Sequence, residues 1–330
     1  MREVAFIKQN KEKWIEFEKF TKNKGKSTIK SDELSTLYIQ LMNDLSFAQT
    51  YYPKSKIVNY LNQLATQIYV SIYKTKRTDS NRLVHFFKTE VPLLVYQYRT
   101  YFYATFILFF LFLGMGILSA KYDNQFVRLV LGDDYVNQTL ENIKKGDAVA
   151  IYKSGSNWGS FVGITINNLF VGIRSYFYGL FCGFGSAYSL FMNTIMLGSF
   201  QYFFYDRGVL LESVKGIWIH GSMEIFAMII EAACGIVMGF AILFPGTYTR
   251  LESFKIGFRK SFKIFLSTFP FTLAAGFLEG YITRYSNVLP TWACFLIIFS
   301  TLGIISFYYL IYPFVVHRKM QSYFNTLKHV

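Results

Sequence analysis

A chain of 330 residues that is 52% hydrophobic and 20% aromatic, with mean hydropathy +0.27, is too apolar for an ordinary soluble domain and reads as a membrane protein. The formal charge of +14 does not follow one continuous face. Lys and Arg are grouped in segments between apolar stretches, a pattern that fits an anionic membrane surface and excludes nucleic acid as a partner. Cys182, Cys234 and Cys294 sit inside apolar runs without CxxC spacing, so neither a disulfide framework nor a zinc knuckle is supported.

The opening MREVAFIKQNKEKWIEFEKF mixes charges with aromatics and lacks the continuous apolar core of a signal peptide. The first hundred residues are therefore expected to stay where they are made. Behind a Ser31 cap, Leu34, Leu37, Tyr38, Leu41 and Leu45 recur at helical spacing up to Pro53, and Ile57, Leu61, Leu64, Ile68 and Ile72 repeat the pattern. Two amphipathic helices joined at a Tyr-Pro turn read as a cytoplasmic helical hairpin. A third, basic amphipathic segment, SNRLVHFFKTEVPLLVYQYR, is expected to lie along the membrane surface. Residues 1–99 thus form a cytoplasmic and interfacial region.

Apolar regions follow at 101–120, 166–205, 218–244, 262–282 and 291–316. A span needs about 20 apolar residues, so the second region should hold two, broken near the glycines of GLFCGFGSAYS. The expected fold is all-α and polytopic, with about six transmembrane helices in residues 100–316, an extracytoplasmic loop at 121–157 and a tail at 317–330. Of the 34 Lys and Arg, 25 lie in residues 1–99, 244–263 and the tail, against 8 in the alternate connections. Both termini are placed in the cytoplasm on that bias. TRLESFKIGFRKSFK, with Arg250, Lys255, Arg259, Lys260 and Lys263 between phenylalanines, reads as an inner-leaflet anchor, and His85 and His317 as interfacial side chains.

The fourth span, WIHGSMEIFAMIIEAACG, carries His220, Glu224 and Glu231. At 100° per residue, Glu224 lies about 40° and Glu231 about 20° from His220, so the three share one stripe. The stripe continues loosely into Gly235 and Gly239, a small-xxx-small pair that suits close helix contact, so it is expected to face other helices. A charge at the bilayer centre costs at least ~2.5 to 3.5 kcal/mol on insertion scales; such side chains need partners, protons or a cation. Asn167, Asn168 and Arg174 in the second span, Asn193 in the third and Glu279 in the fifth are the candidates, with Arg174 to Glu231 the preferred contact.

Three readings of this cluster stay open from the residues. It can be a set of interhelical hydrogen bonds and one ion pair in a scaffold, or the lining of a path in a transporter or channel-like protein. In the third, an intramembrane metal-dependent hydrolase, His220 and Glu224 ligate a divalent metal with Glu279 or Glu231. No HExxH and no nucleophile paired with a base are present, so no cofactor is required by the sequence.

The blocks DLSFAQTYYP, the NN opening the second span, HGSMEIFAMIIEAACG and LAAGFLEGYITR occur in order along the chain. In these the chain resembles the stage II sporulation protein M family over most of its length. His220, Glu224, Glu231 and Glu279 match polar positions of the blocks, and Arg174 falls outside them. The resemblance implies a polytopic protein of the bacterial inner membrane. In spore formers the namesake joins a complex with two peptidoglycan-degrading proteins and anchors or scaffolds them. The implied partners are the lipid bilayer, other membrane or envelope proteins and a second copy in a homodimer.

Overall fold

Helices form wherever apolar residues recur at three- and four-residue intervals, and the computed structural model, which describes residues 2–22, 31–73, 81–150 and 157–328, contains no strand among them. The chain divides into two units, residues 1–80 and 81–330.

In the first unit, α1 (Glu3–Lys22), α2 (Ser31–Tyr51) and α3 (Lys56–Tyr73) share one core. Leu41, Leu45 and Ala48 of α2 are buried with Leu61, Leu64 and Ala65 of α3. The side chains of Leu34, Leu37, Ile68 and Ile72 lie outside the described residues. Helix α1 was hidden in the sequence by its charges, yet Phe6, Trp14 and Phe17 fall within about 80° of one another on its wheel and enter the same core. The Trp14 ring, 2% exposed, packs on Phe6 and Tyr60. Its indole N–H donates to Asp44 Oδ2 at 2.9 Å, an oxygen that also meets Lys13 at 2.6 Å. Ser55 caps α3 by accepting from the Ile57 amide at 3.1 Å, and its hydroxyl donates to the Glu3 carboxylate of α1.

The second unit begins with an amphipathic rod: α4 (Arg82–His85), a π-helical turn (Phe86–Glu90) and α5 (Val91–Gln97). At Tyr98 the backbone leaves helical geometry (φ −101°, ψ 13°) and re-enters it as α6 (Arg99–Tyr122). Next come α7 (Asn124–Leu131), capped by Asp123, and α8 (Asp133–Lys144). Val127, Val136, Ala148 and Val149 of this segment share a core with Phe200, Phe203, Phe204 and Ile217, so it forms a helical cap on the following bundle.

Residues 166–205 do divide at the expected glycines, into α9 (Asn157–Phe177) and α10 (Phe184–Asp206). The turn between them needs the left-handed backbone at Cys182 (φ 54°) and Gly183 (φ 83°). Helix α11 (Leu210–Leu243) has 34 residues, about 51 Å of axis. After it come α12 (Arg250–Leu266) and α13 (Phe269–Phe277), which runs on through a π-helical turn (Leu278–Ile282) and a 3-10 turn (Thr283–Tyr285). The last elements are α14 (Thr291–Ser306), a π-helical turn (Phe307–Ile311) and α15 (Tyr312–Lys328).

Four helical stretches, Arg99–Tyr122, Leu210–Leu243, Arg250–Tyr285 and Thr291–Tyr323, are long and apolar enough to cross a membrane. Helices α9 and α10 are long enough but not among these four, because Asn167, Asn168 and Arg174 dilute one and Asn193, Gln201 and several serines the other.

Helix α11 is the axis of the unit, packed on α6, α9, α10, α12, α13 and α14. It can be surrounded because its contacts are small. A Cβ on Gly235 would collide with the Ser186 hydroxyl and the Tyr176 carbonyl, and one on Gly239 with the backbone of Gly183 and Gly179. The Gly235 and Gly239 pair thus sits against the α9–α10 turn, on the buried face that the sequence placed it on.

Two substitutions probe these cores. Trp14→Ala is expected to destabilise the first unit by about 3–5 kcal/mol, removing amide exchange protection from α1, α2 and α3 while leaving that of α11 unchanged. Gly239→Leu is expected to abolish recovery of monodisperse protein in detergent, whereas Gly303→Leu, at a site with open space around it, should elute as wild type.

Candidate functional site

His220 and Glu224 stand one turn apart on α11, and Glu279 approaches them from the π-helical turn after α13. Inserting one residue into a helical ladder shifts the faces that follow it; Glu279, the second residue of the turn, is 8% exposed. Gly276, one turn earlier, lets the helix lie directly on the Thr165 side chain of α9.

The His220 ring is pinned at both nitrogens. Nδ1 lies 3.0 Å from Thr283 Oγ1, and Nε2 lies 3.5 Å from Glu279 Oε2. Glu224 completes the group: one ligand-type atom from each of His220, Glu224 and Glu279 falls within 4.8 Å of the other two. Glu224 Oε1 is buried with no hydrogen-bond partner. A cavity of about 420 Å³ adjoins the three, with Asn167 and Asn168 of α9 in its wall. One imidazole nitrogen and two carboxylate oxygens are donors for a divalent cation, so these residues could hold a metal.

Glu231 belongs elsewhere. It shares the angular stripe of His220, but it lies seven residues beyond Glu224, about 10 Å further along the axis. There Thr268, at the junction of α12 and α13, donates to Glu231 Oε1 at 2.8 Å. Gly172 of α9 makes the room, since a Cβ there would stand 2.7 Å from the carboxyl carbon of Glu231. Around this carboxylate the bundle is tied by Tyr176 to Ser261 at 3.0 Å and Ser267 to Tyr309 at 2.8 Å. On the other side of α11, Ser222 and Thr301 of α14 meet at 2.7 Å.

The expected Arg174 to Glu231 contact does not form. Gly172 faces Glu231, and Arg174, two residues on, lies about 200° round the helix, exposed on its far side. Asn193 also stays out of the cluster: its amide donates back to the Ser189 carbonyl of its own helix at 2.7 Å. Of the two histidines expected at the interface, His317 stacks on Tyr96 with ring centroids 3.8 Å apart, and His85 lines a cavity against α12.

Two partners escaped the reading of the sequence. Thr283 follows Glu279 by four residues in LEGYITR and so lies near its face, a signal that was available. Thr268 precedes Pro270 in STFPF, where a chain break, not a periodic face, positions it.

The family model for Stage II sporulation protein M matches residues 105–284, more than half of the chain. The chain belongs to that family. All of His220, Glu224, Glu231 and Glu279, with Asn167, Asn168, Arg174 and Asn193, lie inside the part that matches the stage II sporulation protein M family. A second model, for a domain of unknown function (DUF8413), matches residues 4–74, which take in nearly all of α1 to α3. Comparison with curated proteins and with solved structures found no match.

Removing the hydroxyl in Thr268→Val leaves the Glu231 carboxylate buried without its donor, which costs roughly 1–3 kcal/mol. The expected result is a lowered unfolding midpoint in detergent, restored by Thr268→Ser.

Proposed function

We propose that this chain is a component of a multiprotein assembly in the bacterial inner membrane, an anchor or scaffold for envelope-remodelling partners. In this reading it crosses the membrane six times with both termini in the cytoplasm. The observation that carries it is the construction of α11, which is held by side-chain hydrogen bonds at His220, Ser222 and Glu231 and by glycine contacts with no room for a side chain at Gly235 and Gly239. A bundle tied in this way keeps its shape, which is what an anchor for other proteins requires.

The six-span topology is supported by α9 and α10. At 21 and 23 residues they run about 31 and 34 Å, enough for a hydrocarbon core of about 30 Å. Phe184, Tyr188, Met192 and Met196 form an exposed stripe on α10, and Ile166, Phe170 and Phe177 are exposed on α9; lipid is the solvent that suits such faces. The orientation is supported by a cavity of about 750 Å³ between the Arg82–Glu90 rod and α12, where Arg82, His85, Lys255 and Arg259 stand beside Phe254 and Phe258. Its arginines and lysines match the anionic headgroups of the cytoplasmic leaflet. The α7–α8 cap then faces outwards, with Leu129 of α7 82% exposed and Tyr122, at the end of α6, 81% exposed as contacts for a wall-side partner.

A second reading, transport or ion passage, is favoured by one observation, the cavity beside His220, Glu224 and Glu279. The two are separable. Under the scaffold reading, Glu224→Gln, Glu231→Gln and Glu279→Gln keep the wild-type set of crosslinked membrane partners and normal envelope shape, while Leu129→Glu with Tyr122→Glu loses the outer partner. Gln variants that stay folded and assembled yet lose function would favour transport. For topology, in a chain freed of its own cysteines, a cysteine at Glu141 is expected to react with an impermeant maleimide in intact cells, and one at Gly246 only after lysis.

A further inference from the structure

The groups on α11 differ in one respect that a packing role does not explain. Ser222 and Glu231 each meet a hydroxyl partner directly. His220 meets one too, at Nδ1, but its Nε2 and the carboxylates of Glu224 and Glu279 converge beside open space, and Glu224 Oε1 is buried without a partner. A carboxylate oxygen left so in a low-dielectric bundle is expensive, and natural structures seldom tolerate it without an ion or water.

We propose that His220, Glu224 and Glu279 form a divalent transition-metal site with coordination positions open to the adjoining cavity. The separation of His220 Nε2 and Glu279 Oε2, 3.5 Å, is near the edge of a tetrahedron with bonds of ~2.0–2.2 Å, which is about 3.4 Å. Small side-chain rotations bring in the Glu224 oxygen from within the 4.8 Å already shared. Thr283 on Nδ1 is the outer partner that a metal-bound imidazole usually has, fixing the ring with Nε2 as the ligand nitrogen. The cation would also offset two carboxylates that share one buried site. One nitrogen and two oxygens suit Zn²⁺, Mn²⁺ or Fe²⁺ and disfavour soft Cu⁺. Three protein ligands leave at least one position, and the cavity, about 420 Å³ with Asn167 and Asn168 in its wall, has room there for water or a small anionic ligand. This inference does not rest on the scaffold reading, because its readout is metal bound per chain and not partner capture.

The test uses the full chain in detergent, stripped with a chelator, resupplied with Zn²⁺ and assayed for metal by mass spectrometry after gel filtration. The expected result is close to one zinc per chain, falling to the level of the detergent blank in His220→Ala, Glu224→Gln and Glu279→Gln. Glu231→Gln, a buried carboxylate on the same helix, should keep its zinc. Thr283→Val, which leaves all three ligands in place, should weaken binding roughly 10- to 100-fold, and Co²⁺ in the wild type should show the visible absorption of a four- or five-coordinate site. Only variants that elute as a single peak with wild-type helical content are compared. Wild-type protein that holds no more zinc than the blank overturns the proposal, as does a loss in Glu231→Gln equal to that in Glu224→Gln.

Discussion

The second unit depends on how near α11 comes to the turn between α9 and α10. In lipid there is no hydrophobic drive to push one helix against another, so packing contact and interhelical hydrogen bonds decide the arrangement. Gly179 and Gly239 bring backbone against backbone at the crossing, and Gly235 lies against the Ser186 side chain and the Tyr176 carbonyl. That contact lets the Ser186 hydroxyl reach the Ser175 carbonyl at 2.6 Å and sets the Tyr176 ring flat on Phe265, centroids 4.6 Å apart. With one end of α11 seated, the other helices close around it, and its ionisable stripe is turned away from lipid.

Burial then divides that stripe by depth. Near one end, His220 and Glu224 meet Glu279 beside a cavity. About two turns further in, Glu231 is enclosed with Thr268 and faced by Gly172. Both places hold carboxylates, but their surroundings give them different work. The inner one is a closed tie between helices, while the outer one has unfilled space and an unsatisfied oxygen.

The N-terminal unit follows another logic. Its core is aromatic at α1 and aliphatic between α2 and α3, and a partly buried polar contact, Trp14 to Asp44, joins residues thirty apart in sequence. The aliphatic pairing was legible because Leu41, Leu45, Leu61 and Leu64 keep helical spacing. Helix α1 was not, since three aromatics among lysines and glutamates give a weak periodic signal until the surface they cover is known.

What the sequence determined by itself was local: helical periods, apolar lengths, the break at the glycines of residues 179–185, and the common stripe of His220, Glu224 and Glu231. All of these follow from the 3.6-residue repeat and from composition, which neighbours in the chain set between them. Only the tertiary structure decided that Glu279 joins His220 while Glu231 stands apart, and that Arg174 and Asn193 join neither. Angle about a helix axis can be counted from sequence. The relative depth and rotation of two helices cannot, because they are fixed by residues meeting across the bundle, such as Gly276 on Thr165 and Gly172 on Glu231, and by a π-helical turn at Leu278–Ile282 that shifts the faces of the residues after it, Thr283 among them.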